Sequence, residues 1–296
     1  MANENDNTLT DSDKLRIVAD FILHAPPGEF QEVFYDVRQL LNNDTLLKDK
    51  ASSIFAQYRK DQLTPVNLSN GTEFALITEF NDLGSNRFYD PKTRKSFKYD
   101  FLTEETSDHG HWEPDSTSES WRSTLDDIWS NYCIDHYYKG ISSVFATTNN
   151  NNNDQITLSA CIEAHQFQPN NFWYYTLNGL WRSIWIITLK PNRLEADIFG
   201  KIKAQVHYYE NGNVQLVSFK EIKESISFTD EKSMAENFRM IVEEAENEYQ
   251  IAISQNYQNM SDTTFKALRR ALPVTRSKID WHKIMSYRIA NDIKQT

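Results

Sequence analysis

The fold is decided by EADIFGKIKAQVHYYENGNVQLVSF, residues 195–219 of the 296-residue chain. We predict strands at Glu195–Tyr209 and Val214–Phe219, because apolar residues there alternate with polar ones. Between them, Glu210–Asn213 contains an Asn-Gly pair, which is typical of a tight hairpin turn. Strands that follow one another without an intervening helix pair antiparallel. This stretch therefore predicts an antiparallel sheet.

The flanking sequence adds strands before this hairpin and a long helix after it. The earlier strands are predicted at Ile141–Thr147, Gln155–Glu163 and Leu180–Leu189, and a helix precedes them around Trp121–Tyr132. In the long helix, Thr229 or Asp230 provides the N-cap and one apolar stripe continues to about Asn256. The carboxylates predicted to lie on its solvated faces are Glu243, Glu244, Glu246 and Glu248. We predict an α+β fold in which a helix of about 40 Å covers the sheet.

The N-terminal part has a different pattern. Three short helices with tight connections predict a small antiparallel bundle, and the third runs from Asn43 or Asp44 to Tyr58. Residues 103–119 are polar and acidic and are predicted to form a loop. The predicted divisions are a disordered N-terminus (1–11), a helical bundle (12–62), a small strand region with an acidic loop (63–119), a helix, antiparallel sheet and long helix (120–260), and a basic C-terminal segment (261–296).

Charge is distributed unevenly along the chain, whose formal net charge is −11. Such an acidic chain is not expected to bind nucleic acid, since phosphate recognition needs basic residues. The segment from Ser261 to Thr296 is the exception, with eight basic residues against three acidic ones. This asymmetry predicts an acidic partner for the C-terminal segment. Two cysteines, a polar start and the lack of a long apolar run predict a cytoplasmic protein that is not transmembrane.

The sequence contains no pattern typical of catalysis. Its eight glycines are dispersed, which excludes the glycine-rich loops that bind phosphate. Cys161, Glu163 and His165 share one face of a predicted strand for as long as the strand persists, but the sequence shows no third group that would orient a Cys/His pair, so we interpret Cys161 as a core residue. His109 and His111 are too few ligands for a closed metal site. We therefore predict no enzyme, no cofactor and no metal.

The C-terminal segment combines cations with an apolar stripe. Between Lys266 and Lys278 there are five basic residues and no acidic one, and an amphipathic helix is predicted at about Ser277–Lys294. Basic amphipathic ends bind acidic protein surfaces, partner grooves or anionic membranes. The candidate binding residues are Lys266, Arg269, Arg270, Arg276, Lys278, Trp281, Ile284, Met285 and Ile289.

Several long strings resemble the F-actin capping protein alpha subunit family, and together they span roughly residues 13–290. They are FILHAPPGEFQEVFYDVRQLLNND at Phe21–Asp44, FAQYRKDQLTPV at Phe55–Val66, HQFQPNNFW at His165–Trp173, QVHYYENGNVQLV at Gln205–Val217 and AENEYQIAISQNYQNMSDTTFKALRRALPVTRSKIDW at Ala245–Trp281. Local departures occur at Asn149–Asn153, around His109–Ser118 and near Tyr174–Leu177, where residues look inserted.

The resemblance implies one subunit of an obligate alpha/beta heterodimer that caps the fast-growing, barbed ends of actin filaments independently of calcium. It implies that the two subunits' sheets join and that the C-terminal amphipathic segment, or tentacle, reaches actin. The family's basic contact positions fall on Lys266, Arg270 and Arg276. Phosphoinositides, CARMIL-type proteins and myotrophin-like inhibitors are the implied regulators, and the cytoplasmic actin cytoskeleton is the implied location. The alternative is a scaffold or adaptor that docks a non-actin partner or an anionic membrane through the same helix.

Overall fold

The computed structural model describes residues 9–69, 73–148, 155–167, 177–208 and 214–263. Its helices there are α1 (Asp11–Leu23), α2 (Phe30–Leu41), α3 (Asp44–Lys50), α4 (Ser52–Asp61), α5 (Glu119–His136) and α6 (Glu231–Asp262). The strands are β1 (Pro65–Ser69), β2 (Glu73–Leu76), β3 (Asp82–Gly84), β4 (Arg87–Asp90), β5 (Lys95–Tyr99), β6 (Thr106–His111), β7 (Ile141–Thr148), β8 (Ile156–Gln166), β9 (Leu177–Lys190), β10 (Glu195–Tyr208) and β11 (Val214–Ser227). Helices and antiparallel sheets in one chain confirm the predicted α+β class.

The main sheet is antiparallel and has the strand order β11-β10-β9-β8-β7. Each strand pairs with its neighbour in sequence, as the lack of intervening helices predicts. β10 and β11 pair over their full length, from Glu195 opposite Ser227 to Tyr208 opposite Val214. β11 continues past its predicted end at Phe219, because an exposed edge strand needs no further apolar alternation. The predicted turn at Glu210–Asn213 lies outside the described residues.

α5 and α6 cover one face of the main sheet and enclose the largest core. Trp129 of α5, Trp185 of β9 and Phe238 of α6 are fully buried where these elements meet. α6 begins at the predicted cap, since the Ser233 amide donates a hydrogen bond of 2.7 Å to the Asp230 carboxylate. The helix has 32 residues, which corresponds to a length of about 48 Å.

Gly200 of β10 leaves the space that the Trp185 side chain occupies in this core. A Cβ atom at this position would overlap the indole ring of Trp185, which lies directly above it. Trp185 is itself fully buried, so its ring has no free space into which to move. The centre of the sheet therefore requires a residue without a side chain.

The N-terminal bundle has four helices rather than the predicted three. The predicted third helix is interrupted at Ala51, a fully buried residue that ends α3 and precedes α4. The rings of Phe55 and Tyr58 in α4 pack against Phe30 of α2, with centroid distances of 6.1 and 4.8 Å. Because the apolar spacing continues across the break, the sequence pattern did not reveal it.

Two small antiparallel sheets, β1-β2 and β3-β4-β5-β6, connect the bundle to the main sheet along the chain. The prediction of a loop at residues 103–119 was wrong for Thr106–His111, which forms β6 and pairs with β5. β6 is an edge strand whose side chains are exposed or half-buried, so its polar sequence TSDHGH is compatible with pairing. Phe88 and Phe97, from β4 and β5, are fully buried in the core of the bundle.

Candidate interaction surfaces

The predicted binding residues follow α6 in the chain and lie outside the described residues. They are Lys266, Arg269, Arg270, Arg276, Lys278, Trp281, Ile284, Met285 and Ile289. α6 ends at Asp262, where the Thr263 amide donates a hydrogen bond of 3.1 Å to the Asn259 carbonyl. The described structure therefore shows the helix that precedes the basic segment, α6, and the contacts that fix α6 on the rest of the chain.

α5 holds α6 at its first turn. The Ser120 hydroxyl donates a hydrogen bond of 2.7 Å to a Glu231 carboxylate oxygen. Fifteen residues further along α6, Tyr132 of α5 contacts Glu246, so the two helices run in the same direction. α6 is therefore attached to α5 at two separated points.

The second attachment is a buried carboxylate. Glu246 is 2 % exposed and accepts hydrogen bonds from Tyr132 Oη at 2.8 Å, from Ser183 Oγ at 2.7 Å and from Tyr137 Oη. Burial raises the pKa of this carboxyl, while the three hydroxyl donors lower it. The prediction that Glu246 lies on a solvated face was wrong, since its aromatic partners come from α5 and the residue that follows it, more than a hundred residues away in sequence.

Beyond Glu246, the side chains of α6 become progressively more exposed to solvent. Tyr249 is buried, and its hydroxyl donates a hydrogen bond of 2.8 Å to Ser218 Oγ of β11. Ile253 is half-buried, and the side chains of Ser254–Asn259 are exposed. In the chain, the basic segment thus follows a part of α6 whose side chains are exposed.

The residues considered as a nucleophile and its base do not form a reactive site. Cys161 is fully buried among apolar side chains that include Leu76 and Phe145, and burial raises the pKa of its thiol. His165 Nδ1 lies 2.6 Å from Glu163 Oε1, and this hydrogen bond raises the pKa of His165. A reactive cysteine needs a lowered pKa and access to solvent, and Cys161 has neither.

A buried arginine, which the sequence analysis did not identify, attaches the bundle to the sheet. Arg182 of β9 is 2 % exposed and donates hydrogen bonds to the Asp61 carbonyl at 2.8 Å, to Gln62 Oε1 at 2.6 Å and to Gln205 Oε1. It lies directly across the strand pair from Glu163. Burial lowers the pKa of Arg182 to about 10. Its partners are scattered through the sequence, so no local pattern marks it.

The two histidines of β6 do not share a ligand set. The His109 ring lies 6.3 Å from that of Phe97, whereas His111 Nε2 lies 3.7 Å from a Glu113 carboxylate oxygen. Among the described residues, no three His, Cys, Asp or Glu side chains are grouped to hold a metal ion. No helix in the described ranges is long and apolar enough to span a membrane.

Among the described residues, no strand covers one long edge of the main sheet. β11 pairs with β10 on one side and, within the described part of the chain, with no strand on the other. Val217 and Phe219 of β11 are 47 % and 65 % exposed. An uncovered edge with exposed apolar side chains is typical of a surface that pairs with another chain.

The class of protein defined by these features is an α+β subunit with a helix-covered antiparallel sheet and an open edge. The model of the F-actin capping protein alpha subunit family matches residues 18–292. The F-actin-capping protein subunit alpha of Caenorhabditis elegans is 48 % identical over 97 % of this chain and 99 % of its own length. The corresponding subunit of Dictyostelium discoideum is 37 % identical over 95 % of this chain and 98 % of its own length. This chain belongs to the F-actin capping protein alpha subunit family.

A solved structure supports the same fold. The homodimeric actin capping protein alpha subunit of Plasmodium berghei superimposes with a TM-score of 0.72 at 19 % identity. The alignment covers 89 % of this chain and 98 % of that one. The main sheet, its helical cover and the N-terminal elements therefore belong to a known architecture.

Proposed function

We propose that this chain is the alpha subunit of a heterodimeric capping protein that binds the barbed ends of actin filaments and blocks subunit addition and loss. One observation carries the proposal: the family match extends to residue 292 and so includes the basic C-terminal segment. Binding is independent of calcium. The chain acts by binding rather than by catalysis, with no cofactor, at the cytoplasmic actin cytoskeleton.

The basic segment is the part that meets actin. Actin is acidic, so Lys266, Arg270 and Arg276 accelerate encounter and anchor the complex. The apolar stripe that begins at Trp281 adds a second contact, but part of its gain is offset by the ordering of a helix that is marginal on its own. The cations therefore contribute more than the terminal helix.

The beta subunit covers the open edge of the sheet. Edge pairing satisfies the outward backbone groups of β11 and removes Val217 and Phe219 from solvent. Phosphoinositides act through the basic segment, where their anionic headgroups compete with actin. Myotrophin-like inhibitors and CARMIL-type proteins are further regulators.

The test is barbed-end elongation from filament seeds at two ionic strengths. A heterodimer with Lys266→Ala, Arg270→Ala and Arg276→Ala should lose roughly 2–5 kcal/mol of binding free energy, mainly through slower association at low salt. Deletion of residues 281–296 should weaken capping less and mainly accelerate dissociation. Chelation of calcium should change neither result.

A matched control removes the same charge elsewhere. Arg16, Arg193 and Lys232 are exposed, and within the described residues they form no ion pair, so their replacement by alanine should leave capping unchanged. If the C-terminal triple variant capped like its control while the heterodimer stayed intact, the assignment of these residues would be wrong. Loss of vesicle binding with normal capping would instead favour the adaptor function.

A further inference from the structure

A half-buried lysine of the main sheet lies opposite the buried arginine that attaches the bundle. Lys203 of β10 pairs directly with Arg182 of β9, and opposed residues of an antiparallel pair point to the same face. Ile202 and Ala204, the neighbours of Lys203, belong to the core beneath the helices, so Lys203 points to the other face of the sheet. Two cationic side chains are therefore held side by side, an arrangement that is destabilising.

The nearby acids do not balance this pair. Among the described residues, Lys203 forms no hydrogen bond or ion pair, and Arg182 Nε has no hydrogen-bond partner. Glu163 lies across from Arg182 in β8, but its Oε1 atom is 2.6 Å from His165 Nδ1. This hydrogen bond raises the pKa of His165, and burial raises the pKa of Glu163. Little of the negative charge on Glu163 is therefore left to balance Arg182.

The ionisation of Lys203 reflects these surroundings. Burial, and then the Arg182 guanidinium, lower the pKa of Lys203 to about 8; Asp61 of α4 acts in the opposite direction, and Lys201 adds to the lowering. An ordinary lysine has a pKa of about 10.4. Near neutral pH the uncharged fraction of Lys203 is thus on the order of a hundredfold greater than that of an ordinary lysine. Only the uncharged amine has a free electron pair with which to form a bond.

We propose that Lys203 is a carbamate-forming site, at which its Nζ atom reacts reversibly with dissolved carbon dioxide. The nitrogen electron pair forms a bond to the carbon of carbon dioxide, the electron pair of one carbon–oxygen π bond moves onto that oxygen, and the nitrogen releases a proton to solvent. Nothing is oxidised or reduced. The product is an anion where the chain had a cation. The inference does not depend on actin binding.

The surroundings favour carbon dioxide over a larger acylating reagent. A carbamate on Lys203 converts a like-charge pair with Arg182 into an opposite-charge pair, and it supplies an acceptor on the face where Arg182 Nε has none. An acetyl group would remove the repulsion but would bring no negative charge. Carbon dioxide has three atoms and can reach an amine that is half-buried.

Chemical trapping of the carbamate tests the site. The full chain, purified with the beta subunit, is equilibrated with carbon-13 bicarbonate near neutral pH and treated with triethyloxonium ion, which alkylates the carbamate oxygen and makes the group stable to digestion. Peptide fragmentation should locate the labelled ethyl carbamate on Lys203, with at least about tenfold more than on Lys201. Lys201 is the matched control, since it is exposed on the same face of β10. No label on Lys203, or equal label on both lysines, would overturn the proposal.

Thermal unfolding provides a second measurement. At constant pH and ionic strength, replacement of chloride by bicarbonate should raise the Tm of the assembled protein, because carbon dioxide binds the folded chain at Lys203. Lys203→Arg keeps the positive charge but cannot form the carbamate, so the increase should be lost. Lys201→Arg, the control, should keep it. If the two variants responded equally, carbon dioxide would act elsewhere and the proposal would be wrong.

Charge substitution tests the arrangement without carbon dioxide. Lys203→Glu places a permanent carboxylate opposite Arg182 and should have a higher Tm than Lys203→Gln. Lys201→Glu should have a lower Tm than Lys201→Gln, because residue 201 lies opposite Glu221 of β11. A lower Tm for Lys203→Glu than for Lys203→Gln would show that Arg182 does not favour an anion at this position, which would overturn the proposal.

Capping assays separate this inference from the proposed function. The Lys203→Arg heterodimer should cap filament seeds like the unchanged protein, since Lys203 is not among the candidate binding residues. Failure of the unchanged heterodimer to cap would refute the proposed function alone. Absence of the trapped carbamate from a heterodimer that caps would refute the carbamate site alone.

Discussion

The two ends of the main sheet differ in how they are covered. β8, near one end, is buried on both faces: Leu158 packs beneath the helices, and Cys161 packs against the small strands on the other side. β11, at the opposite end, is half-covered on its helix face and open on the other, where Phe219 is exposed. Its sequence differs accordingly, with an apolar series in β8 and regularly spaced charges in β11.

Within one sheet, residues such as those of β8 therefore stabilise the fold, whereas the exposed residues of β11 are available to bind another chain. Side chains buried on both faces contribute to the free energy of unfolding of the chain itself, at roughly 1.5–3 kcal/mol each. Exposed edge residues contribute little until a second chain covers them. Substitutions should therefore have large effects on unfolding under α6 and small effects at β11.

The largest effect is expected at Glu246, beneath α6. Glu246→Leu should lower the free energy of unfolding by about 3–5 kcal/mol, because each buried hydroxyl left without an acceptor costs roughly 1–3 kcal/mol. Glu246→Gln, the control, keeps an acceptor and should cost about 1 kcal/mol. Urea unfolding of the assembled protein measures both. Equal stability of the leucine and glutamine variants would contradict the role of this network.

The pH dependence provides a second measurement on the same residue. Because burial raises the pKa of Glu246, its contribution to stability is fully present below its ordinary value of 4.5 and falls as pH increases through the raised value. The glutamine variant should lack this decline.

An intermediate effect is expected at Gly200, below Trp185. Gly200→Ala should cost about 1–3 kcal/mol, because the added methyl group overlaps a ring that has no space to move. Gly179→Ala is the matched control in the neighbouring strand, since a Cβ atom there meets nothing within 4 Å. Thermal unfolding of the two variants should separate them clearly. If Gly179→Ala were as destabilising, backbone flexibility rather than contact with Trp185 would be the cause.

The smallest effect on unfolding is expected at Phe219, on the open face of β11. Phe219→Ser should change the free energy of unfolding by less than about 0.5 kcal/mol, as is usual for exposed positions. The Phe219→Ser variant should associate with a partner chain more weakly than the unchanged chain does. Analytical ultracentrifugation over a concentration series would detect this difference. A large loss of stability in the isolated chain would show that this face is already covered.

The sequence predicted the elements with strong local patterns. Strands β7 to β10 and the cap at Asp230 were found because alternation and capping involve neighbouring residues. β6 was missed because an edge strand needs no apolar residues, and the break at Ala51 was missed because the apolar spacing continues through it.

The contacts that hold these elements together were less predictable. Arg182 and Glu246 form hydrogen bonds with residues far away in sequence, and the neighbouring carboxylates of Glu246 suggested that it was exposed to solvent. The candidate binding residues lie outside the described part of the chain, so their role stays a prediction, as do the domain boundaries.

The length of the exposed part of α6 determines both where the chain leaves the helix and in which direction around the helix axis it leaves. Each residue of an α-helix advances the chain by about 1.5 Å and rotates it by about 100°. Loss of one residue from Ser254–Asn259 would therefore turn everything that follows to a different side of the molecule, with almost no change in reach. Loss of roughly seven residues would shorten the helix by about 10 Å and nearly restore the original direction. The number of residues in this stretch thus determines the direction in which the chain leaves the helix. Insertions and deletions here should therefore be more disruptive than substitutions.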